Sequence, residues 1–229
     1  MKTLRNNYIV ALYGVAQDFQ TNEILIVTEL MKNGDLKNWL RSSKNIPDEK
    51  IVISFAYNIC REMSFLEQRV RVHRNLACRN LLISAEGNTI KIADFGLSVL
   101  VNKDDFAQRK KTDLKKLSSR WTAAESFGIV LIEIWLKGDD PYPDEKDFAS
   151  IRTLVLNEYI HKKPLKCSNQ FYNQLILPCL WYEPNQRPNF KSSVELLSQW
   201  DKVKAEYERL NRSYEKFFLY SKECRLFSI

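Results

Sequence analysis

The stretch His73–Ile83, HRNLACRNLLI, decides how this chain is read. It opens on polar and charged side chains, closes on a short apolar run, and holds an amide, Asn75, at its third position. Just downstream, LLIS and TIKIA read as short strands joined by the tight turn AEGN, and the second runs straight into Asp94-Phe95-Gly96. Upstream, Asp48 to Gln68 has no Gly or Pro, and Ile51, Phe55, Ile59 and Met63 recur at every fourth position. Val52, Ala56 and Cys60 widen that stripe, so the segment is an amphipathic helix.

Farther out, Ile9 to Ala16 and Glu23 to Leu30 (EILIVTEL) are β-rich apolar runs, and QDFQTN between them reads as a hairpin loop. KNGD breaks the second run with Gly34 as pivot, and Asp35 is placed to cap the short helix LKNWLR. Phe127 to Leu136, FGIVLIEIWL, is apolar on all faces and suits a helix inside a core. Asp147–Glu158, Asn169–Trp181 and Phe190 to about Ser221 read as further helices. Strands first and helices after predict an α+β fold, with a small sheet-bearing piece and a larger helical lobe.

The totals exclude several classes. The chain has 229 residues, 45% of them hydrophobic, enough for one sizeable domain or a smaller domain plus an appendage. It shows no repeat with a period of about 20 to 50 residues. Only 6 Gly and 7 Pro argue against low-complexity structure. Cys60, Cys78, Cys167, Cys179 and Cys224 are odd in number and form no CxxC pair, so a disulfide framework or zinc site is not expected. A reducing, cytoplasmic location fits that usage. YIVALYGVA has the apolarity of a signal segment, but it is short, carries two tyrosines and a glycine, and reads as a buried strand. No apolar run is long enough for a membrane span. The net charge of +7 is spread out, apart from the run RKKTDLKK, Arg109 to Lys116. That run reads as a solvated loop or as a docking patch for an acidic partner, with no nucleic acid expected.

Several markers then line up in order. HRNLACRN keeps the spacing H-R-x-L-x-x-x-N, DFG follows, and RWTAAE, GDDPYP and CLWYEPNQRPNF come after. YGV and VTELMKNGDL precede them. The chain resembles the protein-kinase family over most of its length, and LACRN and RWTA resemble its tyrosine-kinase branch. The resemblance implies mostly the helical large lobe with a remnant of the small-lobe sheet. Residues 1–31 would be a partial small lobe, 32–200 the large lobe, and 201–229 a helical tail. It also implies ATP and Mg2+ as cofactors and a tyrosine-containing protein as substrate. Thr28, Glu29, Leu30 and Met31 resemble the gatekeeper and hinge whose backbone meets adenine, with Leu82 as its floor. Phe95 and Gly96 of DFG lie beside the cofactor, and Asn80 and Asp94 are the expected metal ligands. His73, Asn75 and Arg79 occupy the catalytic loop, and Glu125 and Arg187 are an expected buried ion pair.

The sequence also departs from that family. Asn75 stands where an aspartate accepts the substrate hydroxyl proton, and an amide oxygen has almost no basicity near neutral pH. A general base contributes about 10² to 10⁴-fold. No GxGxxG and no V-A-I-K strand occur, so the phosphate-covering loop, its lysine and the glutamate partner are expected to be absent. AAES runs directly into FGIVLIEIW near 126–127, where the family has a longer insertion with an aspartate bracing the catalytic loop. The loop is therefore expected to lose its polar anchor and some rigidity. No tyrosine lies between Asp94 and Glu125; Phe106 stands near the position of an activation-loop tyrosine, and Ser118 and Ser119 remain as hydroxyls.

In the tail, Trp200, Val203, Tyr207, Leu210, Tyr214 and Phe217 alternate three and four apart, a narrow seam for packing on its own lobe or for self-association. Three readings follow. The first is a pseudokinase-like domain that binds protein partners. The second is an active tyrosine kinase completed by other residues or a partner, and the third is a mis-spliced fragment.

Overall fold

A computed structural model describes residues 8–42, 48–69, 71–100, 124–145 and 147–200. The basic run, Phe106, Ser118, Ser119 and the tail beyond Trp200 lie outside the described residues.

The strands make three antiparallel two-stranded ribbons. β1 (Leu12–Gln17) pairs with β2 (Ile24–Thr28), as the apolar runs predict. Its register opposes Val15 to Ile26 and Gln17 to Ile24, so Val15, Ile24 and Ile26 share one exposed face. β3 (Arg71–Val72) pairs with β6 (Val99–Leu100), and β4 (Leu81–Ile83) with β5 (Ile90–Ile92). Backbone stitches attach the N-terminal segment to the large lobe: Ile9 bridges Ile92, and the Ile83 N–H donates to the Gly34 carbonyl at 2.9 Å. Gly34 has φ +67°, so the pivot needs the left-handed backbone that glycine adopts freely.

α1 (Leu36–Arg41) starts where expected, with the Asp35 carboxylate accepting the Asn38 N–H at 2.9 Å. α2 (Glu49–Gln68) is capped by Asp48 and buries Val52, Phe55, Ala56, Ile59, Cys60, Met63 and Leu66, the stripe read from the sequence. Both its ends are tied to distant elements. Glu49 accepts the N–H and hydroxyl of Ser168, and Glu67 accepts the Phe190 N–H.

α3 (Ala124–Trp135) is the core helix, with Phe127, Val130 and Leu131 fully enclosed. It ends at Gly138, whose N–H returns to the Glu133 carbonyl at 2.8 Å with φ +80°. A Cβ there would meet the Lys37 carbonyl oxygen at 2.7 Å, so α1 and the end of α3 approach as closely as backbone allows. α4 (Phe148–Leu156) follows. α5 is composite: Asn169–Phe171, a π-helical turn Tyr172–Ile176, then Leu177–Cys179. Pro178 cannot donate to the helical ladder, and the widened turn lies just before it. α6 (Phe190–Ser198) packs along α2. Among the described residues no helix is long and apolar enough to cross a membrane.

Candidate active site

The tight turn Cys78–Asn80 packs against α1 and α3, which sets the polar residues of His73–Asn80 beside the end of β5. His73 is fully buried. Its Nδ1 accepts the Asn75 N–H at 3.3 Å, so Nε2 carries the proton and donates to the Ala93 carbonyl at 3.0 Å. Burial holds its pKa below the ordinary imidazole value, against the Ala93 bond and the Asp94 charge. Its ring meets the Phe95 ring edge-on, 4.9 Å between centroids, tying this loop to the DFG turn.

Asn75 is the hub. Its Oδ1 accepts from Arg79 Nη2 at 2.9 Å, and its Nδ2 donates to Asp94 Oδ2 at 2.9 Å. Its backbone carbonyl accepts from Asn80 Nδ2 at 2.7 Å, and the Asn80 carbonyl accepts the Ala93 N–H at 2.8 Å. The structure thus brings together Asn75, Asn80 and Asp94. Arg74 (φ +68°) and Asp94 (φ +59°) hold left-handed backbone without being glycine, which stores about 1–3 kcal/mol of strain each.

The anchor expected to be lost is an aspartate bracing the catalytic loop; the structure shows a different bond between α3 and that loop. Glu133 of α3, itself buried, accepts the Cys78 N–H at 3.0 Å. The helix that joins abruptly to AAES still reaches the loop, through a residue later in its sequence. Burial raises the Glu133 pKa; the Cys78 bonds and the charges of Lys37 and Arg79 pull the other way. The Glu125 side chain lies outside the described residues. Arg187, its expected partner, donates from Nε to the Trp181 carbonyl at 2.6 Å and from Nη2 to the Tyr182 carbonyl at 2.9 Å.

The segment that resembles a hinge has a lock that the sequence reading missed. The Glu29 carboxylate receives Lys91 Nζ on both oxygens, at 2.7 and 2.8 Å, and the Ala11 N–H at 3.0 Å. Both side chains are largely buried, at 17% and 10% exposure, so the pair is screened from water and tied by an extra bond. Thr28 donates at 3.3 Å to the Glu29 carbonyl, and Met31 accepts the Gly34 N–H at 3.0 Å. Leu82, half-buried on β4, lies opposite Asp35 just after this hinge. Among the described residues Thr28, Glu29 and Met31 make no hydrogen bond to the Asn75 network.

For a divalent cation, Asp94 offers carboxylate oxygens and Asn80 an amide oxygen, both hard donors. The Asn80 nitrogen is committed to the Asn75 carbonyl, which leaves its Oδ1 for a metal. Asp94 Oδ2 already accepts the Asn75 amide and Oδ1 accepts the Gly96 N–H at 3.4 Å. Among the described residues no group of three or more His, Cys, Asp or Glu side chains gathers as a metal cluster. The donor types fit, but the carboxylate is shared with Asn75.

The model of the family described as protein tyrosine and serine/threonine kinase matches residues 1–197. The chain is 34% identical over 214 residues to mouse protein-tyrosine kinase 6, covering 86% of this chain and 45% of that protein. It is 34% identical over 232 residues to human tyrosine-protein kinase FRK, covering 92% of this chain and 44% of that protein. Tyrosine-protein kinase receptor svh-2 of Caenorhabditis elegans is 30% identical over 227 residues, 91% of this chain and 20% of that one. The chain spans less than half the length of these relatives.

Proposed function

This chain belongs to the protein tyrosine and serine/threonine kinase family, and from that premise we propose a tyrosine-kinase-like domain whose phosphate-transfer centre is impaired and which acts by binding protein partners. The observation that carries the reading is the placement of the Asn75 side chain. Its oxygen is held by Arg79 and its nitrogen by Asp94. The group at the proton-acceptor position therefore has no basicity and is turned toward the machinery itself. Its N–H also competes with a cation for the Asp94 carboxylate. If nucleotide binds, the hinge backbone at Glu29 and Met31 and the Leu82 side chain would seat adenine, with Thr28 behind it. Asn80 and Asp94 would hold Mg2+, whose charge offsets that of the phosphates. Phe95 and Gly96 set the Asp94 turn, and His73 and Arg79 orient the loop. A reducing compartment such as the cytoplasm belongs to the same proposal, supported by the free, buried state of Cys60, Cys78, Cys167 and Cys179. Self-association through the tail is a further part of it. Purified protein given ATP, Mg2+ and a tyrosine peptide is expected to transfer no phosphate above background. Robust transfer, lost in Asp94→Ala, would overturn the reading.

A second reading, an active tyrosine kinase completed by further residues or a partner, is favoured by the retained pairing of Asn80 with Asp94 around one hub. Asn75→Asp then restores the missing base, and transfer rises by about 10² or more. No gain from that substitution counts against it.

A further inference from the structure

A cavity of about 360 Å³ opens in the helical lobe and shares no lining residue with the Asn75 network. Ile129 of α3 and Leu180 form its apolar floor, and its walls are aromatic. The His161 ring stands edge-on to Tyr142 and Tyr159, with centroids 4.7 and 5.1 Å away. Trp181 and Tyr182, which also line it, remain 40% and 41% exposed although their backbone is fixed by the Arg187 guanidinium. Aromatic surface left open on a pinned backbone is the usual make-up of a binding hot spot.

Charge narrows the occupant. Glu158 and Glu183, both exposed, also line the cavity, and among the described lining residues Arg187 is the one cation. Two carboxylates against one guanidinium leave the described lining net negative. His161 is 6% exposed, and its Nε2 has no partner among the described residues. Burial holds its pKa down to about 4, so the ring is neutral and does not oppose a cation. Glu158 has φ +58°, and the next N–H, of Tyr159, returns to the Leu154 carbonyl at 3.0 Å, so the turn that carries this acid is fixed.

We propose that this cavity receives a basic side chain, arginine or lysine, from a protein partner. The aliphatic stem would lie on Ile129 and Leu180, the cationic head against the aromatic faces, and Glu158 and Glu183 would offset the charge. An acidic segment would meet two like charges at the same place.

The test uses the full chain and three short blocked peptides, identical except for a central Arg, Gln or Glu. Binding is followed by tryptophan fluorescence and by chemical-shift changes. The Arg peptide is expected to saturate in the millimolar range, with the Gln and Glu peptides not saturating. Glu183→Gln and Glu158→Gln, at exposed positions, are expected to keep the melting temperature and weaken binding roughly fivefold to tenfold. Trp181→Phe should remove the fluorescence response while the chemical shifts persist. Absence of saturation, equal binding of all three peptides, preference for the Glu peptide, or indifference to both Glu→Gln changes would each overturn the proposal.

Discussion

Two acids are sunk in helices of the large lobe, and they meet different surroundings. Glu133 on α3 is 1% exposed and takes the Cys78 N–H, with Lys37 and Arg79 close enough to lower its pKa against the effect of burial. Glu62 on α2 is 0% exposed, and neither of its oxygens has a partner among the described residues. Asn58, one helical turn earlier, also leaves its Nδ2 without one. The residue type and the burial are the same, and the difference lies in what arrives from outside the helix. A loop whose backbone would otherwise present an orphan N–H comes to meet Glu133, and nothing comparable comes to Glu62. Burial therefore pushes the Glu62 pKa to about 8, with Arg69 opposing it, and the side chain is mostly protonated at neutral pH.

The sharpest way to break this comparison is pH. Glu62 has a folded pKa of about 8 against an ordinary 4.5, so between those values the folded protein holds a proton that the unfolded chain releases. Stability from this group is full below pH 4.5 and is lost as pH rises through about 8, at up to about 1.4 kcal/mol per unit. Denaturant unfolding at pH 5.5 and pH 8 is expected to show a fall on the order of a few kcal/mol. Glu62→Gln should flatten most of that slope. Glu133 titrates with the same sign, so the difference between wild type and Glu62→Gln isolates Glu62. An equal slope in both proteins would mean that Glu62 is solvated or paired.

The next effect is on the partnered acid. Glu133→Leu removes the acceptor and leaves the Cys78 N–H buried and unpaired, at a loss of about 1–3 kcal/mol. Glu133→Gln keeps an oxygen at the same place and should lose less than half as much. The measurement is the denaturation midpoint of both variants. Amide exchange at Cys78 gives a second readout, expected to quicken in the Leu variant alone. If Leu and Gln behave alike, the bond to the loop contributes little and Glu133 is only a tolerated acid.

The hub residues were legible in the sequence through the resemblance of short motifs to those of the kinase family. HRN, the asparagine five residues later and DFG each carry their own turn, and the fold needs only to close them on one another. The long stripe of α2 and the all-apolar face of α3 were legible from local sequence alone. Lys91 and Glu133 left a trace, a single charge in TIKIA and in FGIVLIEIWL, but their partners lie 62 and 55 residues away, beyond any periodicity. β3 and β6 are two residues long, too short for alternation to register. The aromatic cavity gathers residues from Ile129 to Arg187 at no regular interval, so only the packing of α3, α4 and the loop after α5 assembles it.

The smallest effect concerns whether the two unpartnered groups of α2 know of each other. Asn58 and Glu62 are four residues apart on one helical face, a spacing at which an amide and a carboxyl can meet. In the structure neither atom set finds the other, since Asn58 Nδ2 and both Glu62 oxygens are unpaired together. Their contributions should then add. In the cycle Asn58→Ala, Glu62→Leu and the double variant, the coupling is expected below about 0.5 kcal/mol. A rotamer change that let the amide donate to the carboxylate would give a coupling of about 1 kcal/mol or more, because the bond would form where water cannot compete. That result would also remove the cause of the raised Glu62 pKa, and the pH slope would shrink with it. The two measurements must agree: a flat cycle requires the steep slope, and a coupled cycle requires a shallow one.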